Sequence, residues 1–269
     1  MSRKATEPGM LADVDVERYL ERIGLTERPP VSLIGLTLLQ RAHLAAVPFE
    51  NLDVVAGIEV RTDLSWSLDK VIGRRRGGWC FELNGAFAAL LRSLGFSVLQ
   101  LGAAVLFDGP NKVVDHLALE VGLDKTYLVD VGFGDCFIVP LDLNRRGPQV
   151  DPAGTFEFID SSQGTTLTRH DGDGVPVPVP QYRFRRIHHE LDEFEGASER
   201  LRTDDSLDWK SKPFATRLLD SSVDGSADRI TLKRNRTTRQ SNGQSVDTPV
   251  AESEWNSTLT ELFDMDSPL

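Results

Sequence analysis

The spacing of apolar residues changes near residue 96, and that change restricts the chain to folds that keep helices and strands in separate stretches. Before it, apolar residues recur at helical intervals. Asp15 precedes Val16, Leu20 and Ile23, with Gly24 as a stop signal. A second helix is expected after Thr37, carrying Leu38, Ala42 and Ala45 and ending before Pro48. A short third one runs through Leu68, Val71 and Ile72. The clearest holds Phe87, Leu90, Leu91 and Leu94, and Gly95 ends it.

Beyond residue 96 the period is two. Residues 97–107 are rich in strand formers. Residues 116–123 alternate, with Leu117, Leu119 and Val121 on one face and His116, Ala118 and Glu120 on the other. Residues 126–131 follow after the link Asp124-Lys125, which predicts a hairpin. Weaker strands are expected at 155–159, 165–170 and 181–187, punctuated by the Gly/Pro cluster at 172–180. The last third is mixed. Short helices or turns are expected at 191–195 and 209–219, a strand at Arg229–Lys233, a polar hairpin loop at 238–247 and a terminal helix at 252–263. The order predicts an α+β fold divided at 1–95, 96–195 and 196–269.

With 30 basic and 41 acidic residues, the formal charge is −11. A uniformly basic face for a phosphate backbone is excluded, and anionic membranes are poor partners. A local basic run, Arg74 to Arg76, stands beside one of only two cysteines. Two thiols make no disulfide framework and fit a reducing compartment. The polar residues 1–10 lack the apolar core of a signal peptide, and the apolar stretch 94–107 is too short to span a bilayer. A cytoplasmic location is expected.

Three segments carry chemistry. In Arg76-Gly77-Gly78-Trp79-Cys80-Phe81-Glu82-Leu83-Asn84, two glycines free the backbone just before Cys80, and the helical pattern starts just after it. Unpaired N–H groups at a helix N-terminus favour a thiolate. By itself, Cys80 also fits a small core residue at a helix start. His116 opens an alternating strand, where its ring could serve as a base or merely cap a loop. Asp130 lies in an apolar strand, where a carboxylate is costly unless paired. In the hairpin it would stand beside the His116 strand, facing Nδ1 and fixing the tautomer. Alternatively, it caps the turn Gly132-Phe133-Gly134.

Taken together, RGGWCFELN, the pair Asp115-His116 followed by LALEV, and YLVDVGFGD resemble the catalytic blocks of arylamine N-acetyltransferases, in the same order. VPFENL at residues 47–52, Tyr182-Arg183-Phe184 and the region 211–216 extend the likeness over roughly residues 10–265. The resemblance implies a helical bundle that supplies the cysteine, a β-barrel that supplies His and Asp, and an α/β lid. It implies a triad of Cys80, His116 and Asp130. It further implies ping-pong transfer of an acetyl group from acetyl-CoA, through an acyl-cysteine, to an arylamine, hydrazine or N-hydroxyarylamine. Backbone amides near Cys80 would form the oxyanion hole. Gly132 and Gly134 would border the pantetheine channel, Phe49, Phe133 and Phe214 would line the acceptor pocket, and Glu82 and Asn84 would support the site.

Three positions depart from the common pattern: Trp79 where tyrosine is frequent, Asp115 where a small hydroxyl residue is usual, and the ending Phe263-Asp264-Met265. They leave the donor and acceptor open. Rival readings are an amide synthase that closes a polyketide macrolactam from a carrier-bound acyl chain, a thiol hydrolase or transglutaminase-like enzyme, and a non-catalytic binding module. No metal-ligand cluster is visible, and no metal is expected.

Overall fold

The computed structural model describes residues 9–107, 109–171, 177–241 and 243–269. Residues 1–8 of the polar start, and 172–176 of the Gly/Pro cluster, lie outside the described residues.

The helical third holds α1 (Asp13–Arg22), α2 (Leu33–Ala46), α3 (Leu52–Val55), α4 (Leu64–Leu68) and α5 (Cys80–Ser93), with the two-residue strand β1 (Phe49–Glu50) between α2 and α3. Two starts differ from expectation. The first helix begins at Asp13, so Asp15 lies inside its first turn, where its charge suits the dipole. The second begins at Leu33 because the Ser32 side chain accepts the Gly35 N–H at 3.2 Å. The expected helix through Val71 is a π-helical turn, Asp69–Gly73, that continues α4.

Eight strands form one antiparallel sheet: β2 (Ser97–Val105), β3 (His116–Gly122), β4 (Thr126–Val129), β5 (Leu141–Asp142), β6 (Gln149–Asp151), β7 (Gly154–Ser161), β8 (Gly164–Asp171) and β9 (Val177–His188), in the order β5-β4-β3-β2-β9-β8-β7-β6. The sheet curls on itself. Leu141 near one edge and Phe156 near the other share one core with Leu101, Ala118 and Tyr182. A side chain bridges the remaining seam: the Gln149 amide on β6 accepts the N–H of Asp142 at 2.9 Å and donates to its carbonyl at 3.1 Å. The alternation read from β3 works as expected. Leu119 and Val121 face the helical bundle, packing with Phe87 and Leu91, while Ala118 faces the barrel interior.

The last third forms a second antiparallel sheet from β10 (Phe214–Leu218), β11 (Arg229–Lys233), β12 (Arg236–Ser241) and β13 (Gln244–Pro249). Helix α6 (Glu195–Thr203) precedes it, and α7 (Trp255–Phe263) packs on it through Trp255, Leu259 and Phe263. Two expectations are corrected here. Residues 214–218 are a strand and not a helix or turn, because they pair with β11 and, through Phe49↔Thr216, with β1. Residues 238–247 are mostly ladder and not loop. All of β13 is exposed, so no apolar alternation marks it.

Candidate active site

Helix α5 starts at Cys80 itself, which leaves the sulfur beside unpaired helical N–H groups. The chain must pass through a tight gap to get there. A side chain at Gly77 would lie 2.2 Å from the Pro48 carbonyl, and one at Gly78 would lie 2.7 Å from Glu82 Oε2. Gly78 also donates to Pro48 and accepts from Glu50, which ties the cysteine loop to β1. The Glu82 carboxylate accepts the Trp79 N–H at 3.1 Å and fixes the turn into the helix.

His116 and Asp130 come from the β3–β4 hairpin, Asp130 one residue past the end of β4. His116 Nε2 donates to Asp130 Oδ2 at 2.7 Å, and both groups are buried. The carboxylate therefore sits on Nε2 and not on the expected Nδ1. Cys80 lines the same cavity as His116, and its sulfur reaches the Asp115 carbonyl at 3.9 Å. Burial alone would lower the imidazole pKa. The Asp130 charge and hydrogen bond, with a smaller part from Cys80, outweigh burial and push it up to about 10.

Asn84, one turn into α5, locks this arrangement. Its amide donates to Asp130 Oδ1 at 2.8 Å and to the Leu117 carbonyl at 2.6 Å, and it accepts the Val131 N–H at 3.0 Å. The Gly132 N–H completes the carboxylate's shell at 2.9 Å. Gly132 cannot be larger, since a Cβ there would come 2.7 Å from Cys80 Cα. Tyr182 packs against the imidazole with ring centroids 5.0 Å apart.

Below the cysteine loop lies a second buried group of charges. Lys70 Nζ reaches Glu82 at 3.0 Å, Asp53 at 2.8 Å and Glu50 at 3.6 Å, and Arg76 reaches Glu50 and Asp53 at 3.0 Å each. Burial would lower the Lys70 pKa, but the three carboxylates hold it above its usual range. Burial raises the Glu82 carboxyl in spite of Lys70. The basic run thus divides. Arg76 is an internal ion-pair partner, while Arg74 and Arg75 form exposed pairs with Asp69 and Asp264.

Cys80, His116 and Gly132 open on a cavity of about 530 Å³. Its walls include Phe49, Phe107, Phe133, Leu201, Leu207 and Trp209, so its character is apolar, with Asn111, Asp115 and Arg200 as polar features. Phe133 meets His116 edge-on, centroids 4.9 Å apart. Of the three phenylalanines expected around an acceptor, Phe49 and Phe133 line this cavity. Phe214 stands behind Phe49, centroids 5.4 Å apart, and lines an adjoining cleft of about 270 Å³ together with Gly134. The sequence did not single out Phe107, Arg200, Leu201, Leu207 or Trp209. They sit in loops, on α6 and, for Trp209, in a single 3-10 turn, where no period points to a pocket. Among the described residues, no His, Cys, Asp and Glu cluster is arranged to hold a metal ion, and no helix is long and apolar enough to cross a membrane.

The sequence profile of the N-acetyltransferase family matches residues 32–268. A pineal-gland arylamine N-acetyltransferase of Gallus gallus is 33% identical over 213 residues, covering 71% of this chain and 73% of the relative. The chain belongs to the arylamine N-acetyltransferase family. The Salmonella typhimurium family structure superposes with a TM-score of 0.87 at 25% identity, over 95% of this chain and 92% of the other. The Mycobacterium marinum enzyme in complex with CoA gives 0.82 at 26% identity, over 93% and 92%.

The three departures from the family's common pattern have local causes. Trp79 is buried, stacked on Trp209 at 6.2 Å and edge-on to Phe81 at 5.6 Å, so it serves packing. Asp115 accepts the Val105 N–H at 2.8 Å and the Asn111 amide at 2.6 Å, and so holds the loop that forms one cavity wall. At the chain end, Met265 sulfur accepts the Gly77 N–H at 3.1 Å and seals the cysteine loop from below.

Proposed function

We propose that Cys80, His116 and Asp130 transfer an acetyl group from acetyl-CoA to an arylamine, hydrazine or N-hydroxyarylamine. The observation that carries the reading is the imidazole held by Asp130 on the wall of an apolar cavity of about 530 Å³ that Cys80 also lines. A thiolate, not a thiol, attacks a thioester. The imidazolium that Asp130 stabilises is its counter-ion. In the first half-reaction, the Cys80 sulfur bonds to the carbonyl carbon, the carbon–sulfur bond to CoA breaks, and the departing thiolate takes the imidazolium proton. In the second, the amine nitrogen attacks the acetyl-cysteine, neutral His116 takes its proton, and the Cys80 thiolate leaves. The backbone amides near Cys80, at the free end of α5, would receive the developing oxyanion.

Gly132 supports the donor side by letting backbone approach Cys80, and Gly134 borders the adjoining cleft with Phe214. Phe49 and Phe133 offer ring faces to the acceptor. The chain is divided functionally into a nucleophile-bearing part (1–95), a base-bearing part (96–195) and a covering part (196–269), and it works in the cytoplasm without a metal.

Intact-mass spectrometry after mixing with acetyl-CoA tests the reading. One acetyl group should appear and then vanish when an arylamine is added. Acetylation that water alone removes would make the protein a hydrolase. Failure to accept acetyl-CoA, alongside turnover of a carrier-bound acyl chain, would make it an amide synthase.

A further inference from the structure

The segment 200–209 walls the catalytic cavity with Arg200, Leu201, Leu207 and Trp209, and its two sides are held unequally. Toward the helical third the bonds are short. The Asn51 amide donates to the carbonyls of Trp209 at 2.5 Å and Lys212 at 3.0 Å, and it accepts the Phe214 N–H at 2.9 Å. Just before Arg200, the Thr62 hydroxyl donates to Glu195 at 2.5 Å, and Phe194 packs on Phe81 with centroids 5.5 Å apart. Toward the barrel, α6 reaches across with Arg200, whose Nη2 stands 3.5 Å from Asp115 Oδ2. That is well beyond the roughly 2.8 Å of a formed charge-assisted bond.

Asp115 is the firm half of this pair. The Val105 N–H fixes one of its oxygens and the Asn111 amide the other. It directly precedes His116, and its carbonyl lies 3.9 Å from the Cys80 sulfur. Arg200 is the loose half. Its Nε, which shares one edge of the guanidinium with Nη2, is shielded from solvent and, among the described residues, has no hydrogen-bond partner. A shielded N–H left without an acceptor is costly. Each Asp115 oxygen has a second lone pair to offer it.

We infer that Arg200 and Asp115 form a clasp that shuts α6 over an acceptor bound to the acetyl-enzyme, which makes Arg200 a positioning residue. A small inward shift sets Nε and Nη2 on the Asp115 carboxylate as a fork and carries Leu201 toward the acceptor. The inference rests on the acyl-cysteine proposed above. Closure matters most at that stage, because water competes with the amine. Water bonding to the acetyl carbon breaks the carbon–sulfur bond and releases acetate, a proton and the free Cys80 thiol.

The test starts from acetyl-enzyme made with acetyl-CoA and freed of CoA. Intact-mass spectrometry follows its loss with aniline and with water alone. The ratio of the two rates should fall about five-fold in Arg200→Met. Arg200→Lys should keep most of the wild-type ratio. Asp115→Asn should lower the ratio as well, and the double variant should fall no further than the lower single one. An unchanged ratio in Arg200→Met, or single effects that multiply in the double variant, overturns the clasp. Amide hydrogen exchange across residues 197–203 is the second readout. Acetanilide, the product, should slow exchange there in the wild type and leave it unslowed in Arg200→Met; equal slowing in both overturns the clasp. Should no acetyl-enzyme form, the proposed function fails. The clasp is then decided on the free proteins, where Arg200→Met should exchange faster across 197–203 and identical exchange overturns it.

Discussion

Two buried charged groups flank the start of α5, and they behave differently. Above it, His116 is held by Asp130, and with Cys80 it opens on a cavity. Below it, Lys70 and Arg76 are enclosed by Glu50, Asp53 and Glu82, and none of the five lines that cavity. Both groups are buried and both have displaced pKa values. The difference teaches that displaced protonation marks burial and pairing, whereas reactivity also needs a lone pair that faces open space.

That contrast can be broken from either side. Cys80→Ser should lower kcat by about 10⁴-fold or more while leaving the melting temperature nearly unchanged, since the reacting atom is lost and the fold is not. Asp130→Asn should cost about 10³- to 10⁴-fold in kcat by removing the group that orients and charges His116. Lys70→Met reverses the pattern. It strands three buried carboxylates with one arginine and should cost about 3–5 kcal/mol in urea unfolding, while the folded fraction keeps most of its kcat. A folded, stable Lys70→Met with a dead active site would erase the distinction.

Proton linkage sharpens it further. His116 has a folded pKa of about 10 against an ordinary 6.5, so its contribution to stability is full below pH 6.5 and is lost as pH rises through about 10. The urea midpoint should fall across that window, and Asp130→Asn should abolish this part of the fall. The smallest effect belongs to the other thiol. Cys136 is buried in the barrel, where burial pushes its pKa well up, and it lines neither the catalytic cavity nor the cleft beside it. Cys136→Ser should change activity less than two-fold and stability by about 1 kcal/mol.

Much of this was legible in the residues. The helix after Cys80 and the His116 hairpin were legible although both are buried on all sides, because the chain keeps a helical or two-residue spacing for its large apolar residues there. The meeting of Cys80, His116 and Asp130 at one cavity was legible as a joint pattern, since each segment pairs a polar residue with an apolar surround that must explain it. The choice of imidazole nitrogen was not, because ring orientation depends on where Asn84 and Tyr182 pack. Nor were β10 and β13. A short strand finds its partner across the whole chain, and β13, exposed on both faces, has no apolar stripe to reveal it.

The pairing of β1 with β10 has a consequence for how the protein matures during synthesis. Every group of the trio lies before residue 131, yet Phe49, which walls the cavity, is seated on a strand whose antiparallel neighbour, β10, joins it only once residues 215 and 216 exist. A nascent chain would thus own a nucleophile before it owned a room to receive guests. Selectivity arrives last, with the final fifth of translation, and until then the sulfur's surroundings are those of an unfinished enclosure.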